Sequence, residues 1–197
     1  EVRSYVNTIN IQTKKLDFLI SALVKMSRLE TGVLSLHPKD KAVMPLLAKA
    51  GAQYVPAAEA KGLTLRLLPF SSPNTPEPHA FFDEKWTLEA LGNLLDNAVK
   101  YTEAGGITVR LIPYELFCRI EIADTGIGID EEEQAQVFTR FYRSRQVADA
   151  QGIGVGLYLA REIIAKEGGY IKLTSEPGKG SVFAVNLQIR TANLSKT

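Results

Sequence analysis

The chain has 197 residues, 45% hydrophobic and 23% charged, the balance of a globular domain large enough to bury a core without disulfide staples. Those proportions exclude a disordered, collagen-like or disulfide-framework protein. The 23 basic and 22 acidic residues leave a net charge of +1, so bulk charge gives no reason to expect nucleic acid or an anionic membrane as a partner.

By length this is one domain, or one domain with an appendage. Its single cysteine, Cys118, cannot pair internally, which fits a reducing compartment. No apolar run approaches the roughly 20 residues of a membrane-spanning helix, and no signal peptide is visible. Because the chain opens at Glu1 without a methionine, it is read as a piece of something longer.

The spacing predicts one long helix over the first thirty residues. Val2, Val6, Ile9, Thr13, Leu16, Ile20, Leu23 and Ser27 fall at alternating steps of four and three, the coiled-coil rhythm. Gly32 supplies the stop. So long a stripe calls for a bundle or dimer partner. Residues 33–40 read as a short extended linker. An alanine-rich helix is expected from Ala42 to Ala60, closed by Gly62. Leu63–Leu68 alternates as a strand. Pro69–Pro78 is proline-rich and reads as a surface loop. A short strand at His79–Phe82 precedes a strong helix over Glu84–Tyr101. Ile107–Ile112 and Phe117–Ala123 form an expected hairpin. A helix from about Glu131 follows, begun by a capping box of Asp130 and Glu133. A polar loop comes next, then a helix over Val155–Glu167. Strands at Tyr170–Ser175 and Ser181–Ile189 complete the chain. Mixed strands and helices with mostly hairpin connections predict an α+β fold, a two-layer α/β sandwich with a mixed sheet, preceded by the long N-terminal helix.

Three segments carry chemistry. Asp124-Thr125-Gly126-Ile127-Gly128-Ile129 directly follows a strand. Its carboxylate can accept from an exocyclic amine such as that of adenine, and its glycines let backbone approach a flat ligand. Alone, the segment reads equally well as a glycine turn. Gly152-Ile153-Gly154-Val155-Gly156-Leu157 opens a helix, where exposed N–H groups and the helix dipole favour phosphate. It is neither a Walker A loop nor a dinucleotide fingerprint, since the spacing and context differ. The third is Asn93-Leu94-Leu95-Asp96-Asn97-Ala98-Val99-Lys100-Tyr101. Here Asn93, Asn97, Lys100 and Tyr101 share one helical face. Asparagine carbonyls suit Mg²⁺, which takes few protein ligands. A solvated polar face is the alternative.

Taken together, NLLDNAVKYT, DTGIGI, VFTRFYR and GIGVGL resemble the N, G1, F and G2 boxes of the sensor histidine kinases, in that family's order and spacing. SEPGKGSVF is similar to the family's last hairpin. LDFLISALVKMSRLETG resembles the second helix of its dimerisation and histidine-phosphotransfer domain. The resemblance covers nearly the whole chain. It divides the chain into a helical remnant at 1–36, an ATP-binding catalytic domain at 37–190 and a tail at 191–197.

The resemblance implies the Bergerat ATP-binding fold shared with gyrase and Hsp90-type chaperones. It implies ATP and Mg²⁺ as cofactors, with Asn97 as the metal ligand and Asn93 lining the phosphate site. Lys100 would contact phosphates, and Tyr101 the sugar or base. Asp124 would hold the adenine amine in a pocket shaped by Gly126, Gly128 and Ile129. Gly152, Gly154, Val155, Gly156 and Leu157 would flank the triphosphate. Val155 departs mildly from the family's usual leucine. Phe138, Phe141 and Tyr142 would anchor a lid over Ser144–Gln151. Arg140 and Arg143 are candidates for γ-phosphate charge, or are solvated helix-end arginines. Catalysis would rest on Asn93, Lys100 and Arg140.

Asn93 stands where hydrolysing relatives look to use an acidic residue. An amide cannot serve as general base, so weak hydrolysis and phosphoryl transfer are expected. The acceptor would be a histidine followed by an acidic residue on a preceding helix. The only histidines are His37 and His79, and neither has that context. The chain is therefore expected to bind Mg–ATP without phosphorylating itself. Expected partners of the longer protein are a response regulator and a second copy through the N-terminal helix, with no nucleic acid and no membrane contact by this chain. The resemblance implies the cytoplasmic domain of a bacterial inner-membrane sensor. The alternative is a non-catalytic or hydrolysing ATP-binding module of the same superfamily that acts by holding a partner protein.

Overall fold

The computed structural model describes residues 2–31, 35–68, 70, 77–144 and 153–189. The chain divides into two compact units, Glu1–Ser35 and Leu36–Thr197. The first is helix α1, Val2–Glu30. Val6, Ile9, Leu16, Ile20 and Leu23 of its heptad stripe are exposed.

The second unit begins with strand β1 (Lys39–Ala42), helix α2 (Val43–Ala60) and strand β2 (Thr64–Leu67). Strand β3 (His79–Phe82) leads into helix α3 (Glu84–Tyr101). Strands β4 (Gly106–Pro113) and β5 (Phe117–Asp124) form the expected hairpin. Helix α5 (Gly156–Lys166) and strands β6 (Tyr170–Glu176) and β7 (Gly180–Gln188) close the unit, after a short helix α4 (Glu131–Gln134) and a 3₁₀ turn at Gln136–Phe138.

Five strands form one sheet in the order β2-β4-β5-β7-β6. The β2–β4 pair is parallel and the other pairs are antiparallel, so the sheet is mixed and the fold is α+β. Alternation puts Ile107, Val109, Leu111, Cys118, Ile120, Ile122, Phe183, Val185 and Leu187 on one face, all buried. Leu91, Leu94 and Leu95 of α3 and Leu159, Ile163 and Ile164 of α5 are buried as well, and these two helices pack on each other. The other sheet face mixes apolar side chains such as Ile112 and Ala184 with charged and polar ones. Arg110 donates to Glu121 at 2.6 Å, and Arg119 to Asn186 at 2.9 Å.

Local chemistry explains the key helix. Asp83 caps α3, accepting from the backbone N–H groups of Lys85 and Trp86 at 3.1 and 3.3 Å. Its leucines recur at helical spacing on the buried side.

Three expectations need correction. Residues 39–40, read as linker, belong to β1, which pairs antiparallel with β3. The helix from Glu131 is only four residues long before the backbone tightens into the 3₁₀ turn. The Asp130 half of the expected capping box is not made: its side chain forms no cap bond, and the Glu133 N–H donates to the Asp130 carbonyl at 2.9 Å. The proline-rich loop lies mostly outside the described residues, as does the tail at 191–197.

Candidate functional site

The polar face of α3 lies beside the start of α5. Asn93 donates through Nδ2 to the Glu89 carbonyl at 3.1 Å, and its Oδ1 faces Gly156. A Cβ on Gly156 would sit 3.1 Å from that oxygen, so the glycine admits the close approach. Asn97 follows Asn93 by one turn and is half-buried. Lys100 holds its Nζ 4.9 Å from the centroid of the Tyr101 ring, a cation–π pair.

The end of α3 receives the Asp124 turn. The Ile127 N–H donates to the Tyr101 carbonyl at 3.2 Å, and a Cβ on Gly126 would overlap that same carbonyl. Asp124 Oδ1 accepts from the N–H groups of Gly126 at 2.9 Å and Ser181 at 3.2 Å. Both bonds fall on one oxygen, which leaves Oδ2 for a further donor. Burial raises the Asp124 pKa, while the two N–H groups pull it back.

Positive φ is required at two glycines of this region. Gly128 has φ +72°, and a Cβ there would overlap the Glu176 carbonyl. Gly154 has φ +74°, and its Cβ would overlap the Tyr142 carbonyl. Both positions therefore need glycine for backbone shape and for contact. Ile129 joins the last hairpin, donating its N–H to Ser175 Oγ at 2.8 Å.

Residues 138–143 are tied to α5. Phe138 is buried edge-to-face on Phe183 at 6.2 Å. The Phe141 N–H donates to the Gly154 carbonyl at 2.9 Å, but the Phe141 side chain is 51% exposed and its φ is +61°. Arg140 lies over the Tyr158 ring at 4.8 Å and donates to its hydroxyl at 2.9 Å. Arg143 is half-buried. Val155 is buried directly before α5, and Leu157 is half-buried in its first turn. Gly152 and the expected lid beyond Ser144 lie outside the described residues.

Sequence reasoning missed several partners of this region. Ser175 and Ser181 support the Asp124 turn from β6 and β7. Tyr158 carries Arg140. Lys61 reaches the end of α3 from the end of α2. Ser175 and Ser181 lie in the SEPGKGSVF hairpin, where the sequence assigns them no role, and Tyr158 and Lys61 belong to no motif, because each acts through contacts distant in sequence.

Residues 82–191 match the family described as histidine kinase-, DNA gyrase B-, and HSP90-like ATPases, and the chain belongs to that family of ATP-binding domains. Within it, the chain is a histidine kinase catalytic domain of the two-component sensor type. It is 34% identical over 202 residues to drug sensory protein A of Synechocystis, covering 96% of this chain and 30% of that protein. It is 31% identical over 192 residues to the sensor histidine kinase RppB of the same organism, covering 96% of this chain and 41% of that one. The crystal structure of full-length ShkA in complex with AMPPNP superposes with a TM-score of 0.82 at 26% identity, covering 96% of this chain and 39% of that chain. The chain thus spans well under half the length of these relatives. No helix among the described residues is long and apolar enough to cross a membrane.

Proposed function

We propose that the second unit binds Mg–ATP between α3, the Asp124 turn and the start of α5, and that the longer protein passes the γ-phosphoryl group to a histidine of a dimerisation domain. The observation that carries this is the approach of Asn93 Oδ1 to Gly156, which brings the asparagine face and the glycine-rich helix start together.

The residues present fit both ligands. An amide oxygen at Asn97 is a hard donor suited to Mg²⁺. The bound ion would neutralise charge on the phosphate oxygens. Asp124 Oδ2 is the acceptor for the adenine amine, in the two-layer Bergerat sandwich that the mixed sheet supports. Gly126, Gly128 and Ile129 shape the pocket around it. Asn93 lines the phosphates, and Lys100, lifted from its stacked position on Tyr101, neutralises them. Tyr101 meets the sugar or base. The N–H groups at the start of α5, from Gly154 through Leu157, point a partial positive charge at the triphosphate. Arg140 and Arg143 stabilise γ-phosphate charge, with Phe138 holding their segment on the sheet. With an amide at position 93 no side chain there takes a proton from water, so the γ-phosphoryl group is kept for transfer. Positioning and charge stabilisation carry the reaction. The longer protein would pair through α1, act on a response regulator and work as the cytoplasmic part of a bacterial sensor.

Titration calorimetry with ADP and ATP, with and without Mg²⁺, tests this. The wild-type chain should bind with Mg²⁺. Asn97→Ala should weaken Mg-dependent affinity by at least about tenfold, roughly 1.4 kcal/mol, with an unchanged circular dichroism spectrum. Equal affinities would refute the metal role of Asn97.

A further inference from the structure

The last four carbonyls of a helix have no partner within it, so each must find one elsewhere. At the end of α3 they can be counted. Ala98 accepts from the Thr102 hydroxyl at 2.7 Å. Tyr101 accepts from the Ile127 N–H at 3.2 Å. Val99 and Lys100 both accept from one group, the Lys61 ammonium, at 2.7 and 3.0 Å. The same ammonium also reaches the Thr102 carbonyl, just past the helix, at 2.8 Å. An ammonium has three donors, and all three are engaged.

Lys61 is aimed there by its own backbone. It is the C-cap of α2 and is followed by Gly62 at φ +72°. The Leu63 N–H returns to the Ala58 carbonyl at 2.9 Å, and the Gly62 N–H to Glu59 at 2.9 Å. That pair of bonds is a Schellman motif, sealed by the burial of Leu63. The stem of Lys61 therefore leaves from a fixed point. Its positive charge also meets the negative end of the α3 dipole.

We propose that Lys61 is a positioning residue for nucleotide binding. It holds the end of α3 in the place that puts Lys100 and Tyr101 beside the Asp124 turn. The link is short: Lys61 grips the carbonyl of Lys100 itself, and the next carbonyl along seats Ile127. Lys61 touches no reacting atom in this account. The inference rests on the nucleotide reading above and adds a residue to it from outside every sequence motif.

The test compares Lys61→Met with Lys61→Arg. Methionine keeps the apolar stem and loses the charge and all donors, whereas arginine restores charge and donors. Lys61→Met should weaken the Kd for Mg–ADP by about tenfold, since a small displacement of binding groups is enough for such a loss. Lys61→Arg should recover most of it. Amide exchange at Ile127 should quicken in Lys61→Met while the exchange of β7 stays as in the wild type. Should Lys61→Met not fold, Lys61→Gln, neutral and shorter, carries the same expectation. Wild-type affinity in a folded Lys61→Met or Lys61→Gln overturns the positioning role and leaves the nucleotide reading standing. Loss of stability with unchanged Kd does the same. Absence of Mg–ADP binding by the wild-type chain overturns both.

Discussion

Glu167 is a carboxyl that water hardly reaches, with 5% of its surface exposed. It accepts from the Asp83 N–H at 2.9 Å and meets the Thr87 hydroxyl at 2.9 and 3.0 Å. The same hydroxyl lies 2.7 Å from the Asp83 carbonyl and has only one proton to give. Protonating Glu167 resolves the conflict: its O–H donates to Thr87, and Thr87 donates to Asp83. Burial pushes the Glu167 pKa up to about 7, and the nearby Asp83 charge adds to this. A folded value above the unfolded one means that the folded state holds its proton longer. The stabilisation is complete below about pH 4.5 and is lost as pH rises through about 7. The gap between those values corresponds to about 3 kcal/mol. Glu167→Gln mimics the protonated form, with an oxygen for Asp83 and an NH₂ for Thr87. It should leave stability near pH 5 almost unchanged and raise it at pH 8, by about 2–4 °C in Tm for each kcal/mol recovered. Thermal melts from pH 5 to 8 check this; parallel wild-type and variant curves would sink it.

At the scale of elements, what was legible was local. The leucine spacing and Asp83 announced α3, alternation announced β4 and β5, and Gly62 marked the end of α2. The candidate site was legible where it is written in runs, as with Asn93–Tyr101 and Asp124–Ile129. What escaped was set by partners far along the chain. The Lys39–Ala42 segment has a single apolar residue, and β3, some forty residues on, makes it a strand. The run Glu131–Gln134 looks helical, yet Gln134 turns its amide to the Ile129 and Ser175 carbonyls at 3.2 and 2.9 Å. The chain then tightens to deliver Phe138 to its place on Phe183, beneath Arg161 at 5.7 Å. That tertiary contact decides where α4 stops. Phe138→Ala should therefore cost about 3 kcal/mol or more, as for large core truncations, whereas Phe138→Leu should cost less. Urea unfolding measures both; a loss below about 1 kcal/mol for alanine would show that the element does not depend on this side chain.

At the scale of the whole chain, the two histidines decide what the molecule can do alone. His37 donates its backbone N–H to Asp83 Oδ2 at 2.9 Å, and the His79 ring lies 3.5 Å from Asp40 across the β1–β3 pair. His37 therefore stands at the N-terminal end of α3, and His79 opens the strand that leads into it. The proposed metal residue Asn97 comes 14 positions after Asp83, about 20 Å along the helix axis. Phosphoryl transfer needs donor and acceptor oriented within about 3–3.5 Å, so His37 would not meet a phosphate held at Asn97 within one copy of this unit, and His79 is engaged with Asp40 on the β1–β3 pair. Incubated with γ-labelled ATP and Mg²⁺, this chain should bind nucleotide and yet carry no acid-labile, base-stable label. Label on His37 or His79 in the isolated chain would overturn the argument. Label appearing only in a longer protein, one that adds a histidine-bearing helix, is the outcome expected if the acceptor lies outside these residues.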